Sequence, residues 1–113
     1  MKTADVAQAG EAPIACNPGA FTGEDHGKWQ ALGKRLIAEN KGRRELANGF
    51  AFELDRTPVT LREVAEFVEF ESKCCPFVDF TVRVPSGGRG VLLEMTGREG
   101  VKEMLAAELG IER

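Results

Sequence analysis

The sequence predicts an α+β fold, a three- to four-stranded antiparallel sheet with helices packed on it, in a partial ferredoxin-like arrangement with an extra N-terminal helix. Three observations predict it. Apolar residues switch from helical spacing to strict alternation and back along the chain, in the order helix, strands, helix, two strands, helix. Short turn segments, Asn48–Gly49 and the glycine-rich stretch from Pro85 to Gly90, join alternating segments directly, which makes chain neighbours antiparallel. The 113 residues show no repeat and no linker, enough chain for one core. Residues 1–12, small and polar without a period, are expected to be a disordered tail, and residues 13–113 a single α+β domain.

Residues 13–24 read as a loop that carries Cys16 and an apolar anchor, Phe21. A first helix is expected over 25–40, because Trp29, Leu32, Gly33, Leu36 and Ile37 form one stripe. Gly33 on that stripe costs about 1 kcal/mol against alanine, which suggests a close approach to another element. Lys41–Gly42 is expected to stop the helix through a left-handed glycine. Arg44 to Ala47 reads as a short strand, and Phe50, Phe52 and Leu54 alternate with Ala51, Glu53 and Asp55 beyond the turn. Thr60 and Glu63 have capping-box spacing and open a second helix, which Pro76 stops near Cys74. Val78, Phe80, Val82 and Val84 form one further strand and Val91, Leu93 and Met95 another. Thr96 and Glu99 repeat the capping-box spacing before a last helix bearing Val101, Met104, Leu105 and Leu109, which ends near Gly110.

Bulk properties exclude several functions. The net charge of −3 and a pI near 5.2 lack the basic footprint of a nucleic-acid binder. Arg43 and Arg44 are flanked by Glu39 and Glu45 and read as a solvated surface. No apolar run reaches the roughly 18 residues a membrane helix needs, and Met1 to Ala15 lacks the apolar stretch of a signal peptide. A cytoplasmic protein with reduced thiols is therefore expected. Three cysteines also cannot all pair within one chain. Gly87, Gly88 and Gly90 join two strands and open no helix, so they do not make a phosphate cradle.

Concentrated chemistry lies in Cys74–Cys75, with Cys16 as a third thiol. On a helical wheel, Leu61, Val64, Ala65, Val68 and Cys75 share the stripe expected to face the sheet, while Phe67, Phe70 and Cys74 share a neighbouring face. That second face needs cover from the N-terminal loop, the first helix with Trp29, or a second copy of the chain. Three readings stay open. Free cysteines pack as small hydrophobes. Thiolates of Cys16, Cys74 and Cys75 could bind a soft metal such as Zn, Cu or Hg, or a metalloid, with Glu71 as a fourth group one helical turn before Cys74. A thiol-redox or thiol-nucleophile enzyme would need an activated thiol, and a helix C-terminus opposes thiolate formation. A further alternative is a non-catalytic dimerising interaction domain, a homodimer seamed at Phe67, Phe70 and Cys74. Glu71 taken alone reads more readily as a solvated helix-surface carboxylate. Asp79 falls on the outer face of its strand, and His26, the single histidine, reads as a surface or capping residue.

The segment Glu71-Ser72-Lys73-Cys74-Cys75-Pro76-Phe77, followed by Phe80 and by Thr96 to Glu103, resembles a group of small uncharacterised bacterial proteins. Their shared element is Glu-x-x-Cys-Cys-Pro-Phe before a strand. Pro13 to Cys16 and Glu45-Leu46 with Gly49 are similar to the patterns that precede it there. The resemblance spans most of the chain from residue 13. It implies a shared domain with Cys16, Cys74 and Cys75 as matched positions, and it implies no reaction.

Overall fold

The computed structural model describes residues 13–15, 17, 19–55, 59–88 and 90–111. Its elements run α1 (Gly23–Ala38), β1 (Asn40–Leu46), β2 (Gly49–Asp55), α2 (Leu61–Cys74), β3 (Asp79–Arg83), β4 (Gly90–Thr96) and α3 (Val101–Glu108). The expected α+β class, antiparallel sheet and extra N-terminal helix are all present. Four strands lie in the order β1-β2-β4-β3, and every neighbouring pair is antiparallel. The residues 1–12 expected as a tail lie outside the described residues, as does Cys16.

Register decides which side chains meet. Phe50, Phe52 and Leu54 of β2 stand opposite Met95, Leu93 and Val91 of β4, and Phe80 of β3 stands opposite Met95. Because side chains alternate across a strand, all of these share one face. Leu36 of α1, Val64, Phe67 and Cys74 of α2, and Val101, Leu105 and Ala106 of α3 join that face in one core. The opposite face carries Glu53, Thr81, Arg83 and Arg44, all exposed. Arg35 Nε pairs with Glu63 Oε2 at 2.9 Å between the neighbouring helices α1 and α2, and Lys102 Nζ pairs with Glu45 Oε2 at 2.7 Å between α3 and β1.

Three local expectations need correction. Gly42 does not cap α1. The helix ends at Ala38, with the Glu39 N–H bonded to the Arg35 carbonyl, and Gly42 sits within β1 beside a register shift. Pairing to β2 draws the chain into the sheet at Asn40, so β1 is longer than the expected 44–47 segment. At the hairpin, Ala47 and Asn48 form the turn while Gly49 is already paired with Leu46. Finally, Thr96 does not cap α3. It is the last residue of β4, paired to both Gly49 and Asp79, and the helix starts instead from Gly100 at φ 98°.

The remaining signals match. Thr60 and Glu63 form a reciprocal capping box, with the Glu63 N–H donating to Thr60 Oγ1 at 3.1 Å and the Thr60 N–H donating to Glu63 Oε1 at 3.0 Å. Those bonds and Arg35 hold the Glu63 carboxyl below its ordinary range. Past α3, the Ile111 N–H reaches the Ala106 carbonyl at 2.8 Å around Gly110, a Schellman ending. Val82, on the edge strand β3, is 40% exposed, and Val84, just past its end, 43%. Gly27 lies mid-helix in α1 with open space where a Cβ would stand. Gly27→Ala should therefore stabilise the fold by about 0.5–1 kcal/mol, read as a raised urea midpoint at unchanged slope.

Candidate functional site

Cys74 is the last residue of α2 and Cys75 caps it. The Cys75 N–H closes the helix on the Glu71 carbonyl at 2.7 Å, then the backbone leaves helical geometry (φ −124°, ψ 71°) ahead of Pro76. This is the break that proline imposes on the residue before it. Its result is that the two thiols do not diverge as on an ideal wheel. Both are buried, Cys74 at 3% exposure and Cys75 at 0%.

The face of Phe67, Phe70 and Cys74 finds its cover within the chain. The Asn17 N–H donates to the Cys74 carbonyl at 2.7 Å, so the N-terminal loop reaches the end of α2. Phe21 from that loop packs edge-on to both Phe70 and Trp29, each with centroids 5.4 Å apart. Gly33 brings the α1 backbone against the Phe67 ring. The seam expected for a second copy is occupied by the chain's own residues. His26 packs against the rings of Phe21 and Trp29 as part of this layer.

Glu71 is the largest departure from expectation. It is not a solvated helix-surface group but is 2% exposed. Its Oε1 accepts the Trp29 Nε1–H at 2.7 Å, and its Oε2 lies 3.7 Å from the Cys75 sulfur. Burial, reinforced by the negative charge of Glu108, raises its carboxyl to about 7, and the Trp29 and Cys75 contacts only partly oppose this. None of these neighbours is a cation.

Glu108 is the residue that sequence reasoning missed. It ends α3, and its two carboxylate oxygens lie 3.5 and 3.6 Å from the Cys75 sulfur, across the core from α2. Donor atoms of Cys74, Cys75 and Glu108 all lie within 4.8 Å of one another. One signal was legible: a glutamate in the last turn of a helix opposes the macrodipole, and that turn itself contains no basic residue. Among the expected ligands, then, Cys74 and Cys75 come together, Glu71 touches Cys75 without belonging to that set, and Cys16 lies outside the described residues. Asp79 is exposed at the start of β3 and is not among the converging donors.

Electrostatically the site concentrates negative character. Two helix C-termini, the buried Glu71 carboxyl, the exposed Glu108 carboxylate and two buried thiols come together at one edge of the core. A thiolate formed there would stand beside carboxylates, so a cation is the group best suited to hold it. Comparison of the chain with protein-family models, curated proteins and solved structures finds no match. No helix among the described residues is long and apolar enough to cross a membrane.

Proposed function

We propose that the protein binds a soft metal or metalloid ion through the thiolates of Cys74 and Cys75, with the Glu108 carboxylate as third donor. The observation that carries this is the convergence of those three donors within 4.8 Å from the ends of two different helices. Zinc bonds of roughly 2.3 Å to sulfur and 2.0–2.2 Å to oxygen need donors somewhat closer than this, so closure asks for side-chain adjustments below an ångström or so. Soft thiolates favour Zn²⁺, Cu⁺, Hg²⁺ or trivalent arsenic over hard cations. Glu71 supports the set from behind, holding Trp29 and facing Cys75. Cys16 enters this reading through its sequence position next to Asn17, whose N–H binds the Cys74 carbonyl.

Native mass spectrometry of the reduced chain, with Zn²⁺, Cu⁺, Hg²⁺ and arsenite offered separately, tests it. One equivalent of at least one ion is expected on the wild type. Cys74→Ala/Cys75→Ala, with its fold checked by circular dichroism, should lose it. Equal binding by both proteins would sink the reading. Glu108→Gln should weaken the ion about tenfold, as loss of a charged ligand does, and Cys16→Ser should weaken it only if that thiol displaces Glu108 as third donor.

A further inference from the structure

Beside the thiol site lies a half-open cavity of about 310 Å³ between α1, the sheet and the end of α3. Its walls are mostly apolar, with Leu36, Phe52, Phe67 and Met95 among them, Lys34 and Arg43 also border it, and both Glu71 and Glu108 line it. Those two carboxylates are also the groups that touch the Cys75 sulfur, at 3.7 and 3.5 Å. The thiol cluster and the cavity are therefore neighbours sharing one wall. An apolar cavity of roughly 150 Å³ already suffices to take up a benzene ring, so this one has space for an aromatic ring or a branched alkyl group.

A bare ion uses the sulfurs and Glu108 and leaves that apolar volume without a role. We infer that the ligand is a thiophilic ion carrying one organic group, of the class of aryl- or alkylarsenic(III). Cys74 and Cys75 hold its metalloid end, and its organic group extends past Glu108 into the cavity. This deepens the proposed function and rests on it. The carbon takes the third position that Glu108 fills for a bare ion, which points toward the cavity because Glu108 is part of its lining. The binding step exchanges ligands without redox change. An organoarsenic dihydroxide meets two thiols, two As–S bonds form and two As–O bonds break. Each thiol proton leaves with a hydroxyl as water, so two waters are released.

Phenylarsine oxide, which hydrates to such a dihydroxide, differs from arsenite in carrying phenyl in place of the third hydroxyl, and their affinities for the reduced full chain form the test. The ratio is compared with that for a peptide spanning Glu71 to Val78, which has the same two thiols and no cavity. Burying one ring should make the protein's preference for phenylarsine oxide at least about thirtyfold larger than the peptide's. Gly33→Leu, which adds a side chain from α1 into the cavity wall, should cut that preference at least tenfold while arsenite affinity holds. Glu108→Gln should weaken arsenite and leave phenylarsine oxide within a factor of about three. A preference no larger than the peptide's, with both compounds still bound, overturns the organic substituent but leaves the ion site standing. If neither compound binds the folded chain, the organoarsenic ligand is overturned, and the ion site is then decided by Zn²⁺, Cu⁺ and Hg²⁺ alone. A preference that survives Gly33→Leu overturns the placement of the organic group.

Discussion

Glu71→Gln is expected to stabilise the reduced, metal-free protein by about 3 kcal/mol at pH 8 and to change it little near pH 4. The carboxyl titrates near 7 in the folded chain, against an ordinary value of 4.5. Between those values the folded state holds a proton that the unfolded state has released. Stability therefore falls as pH rises through that window, by about 1.4 kcal/mol per unit, and levels off above the folded value. Below 4.5 both states are protonated and the penalty vanishes. Glutamine keeps an oxygen for the Trp29 Nε1–H and removes the charge, so the variant should lack this slope. Urea unfolding of both proteins from pH 4 to 8 reads the difference directly. Parallel pH profiles would show that the Glu71 charge is compensated in the folded chain. A stabilising substitution at a buried acid also marks the position as one retained for something other than stability.

The second large effect is structural. Gly49→Ala should cost about 3 kcal/mol or more, because a Cβ there would collide with the Met95 carbonyl oxygen and stand 2.8 Å from the Thr96 Cα. These are backbone atoms of β4, so no rotamer change relieves the contact and the β2–β4 ladder itself must shift. Gly49 has no positive φ, so the demand is for space rather than for left-handed backbone. Gly42→Ala provides the contrast: its nearest contact, at 3.2 Å, is the flexible Glu53 carboxylate, and a loss under about 1 kcal/mol is expected. A similar cost at both positions would refute the close-approach argument. Gly49 also lies one residue from Phe50, which is fully buried against the core, so the shift would propagate into the sheet that floors the cavity.

Much of the fold was legible because its determinants are local. The Thr60–Glu63 box, the Pro76 break and the alternation of Phe50, Phe52 and Leu54 each act over a few residues, and each appears where its pattern stands. Local signals failed where a distant partner competed. Thr96 had capping spacing, but pairing with Gly49 and Asp79 kept it in the sheet. Gly42 had the look of a helix stop, but β2 recruited the chain two residues earlier.

For the site, the sequence by itself determined that two adjacent thiols, Cys74 and Cys75, stand directly before a helix-breaking Pro76, which made them the candidate. It also marked Phe67, Phe70 and Cys74 as a face needing cover. Only the tertiary structure decided what supplied that cover and which acids came with it. Glu71 seemed a surface residue because a helix stripe specifies which positions share a face, not what lies over them. Trp29, 42 positions away in sequence, turned it into a buried acid. Glu108, 33 positions past Cys75, reaches the Cys75 sulfur from the end of α3, a long-range contact that no local period encodes.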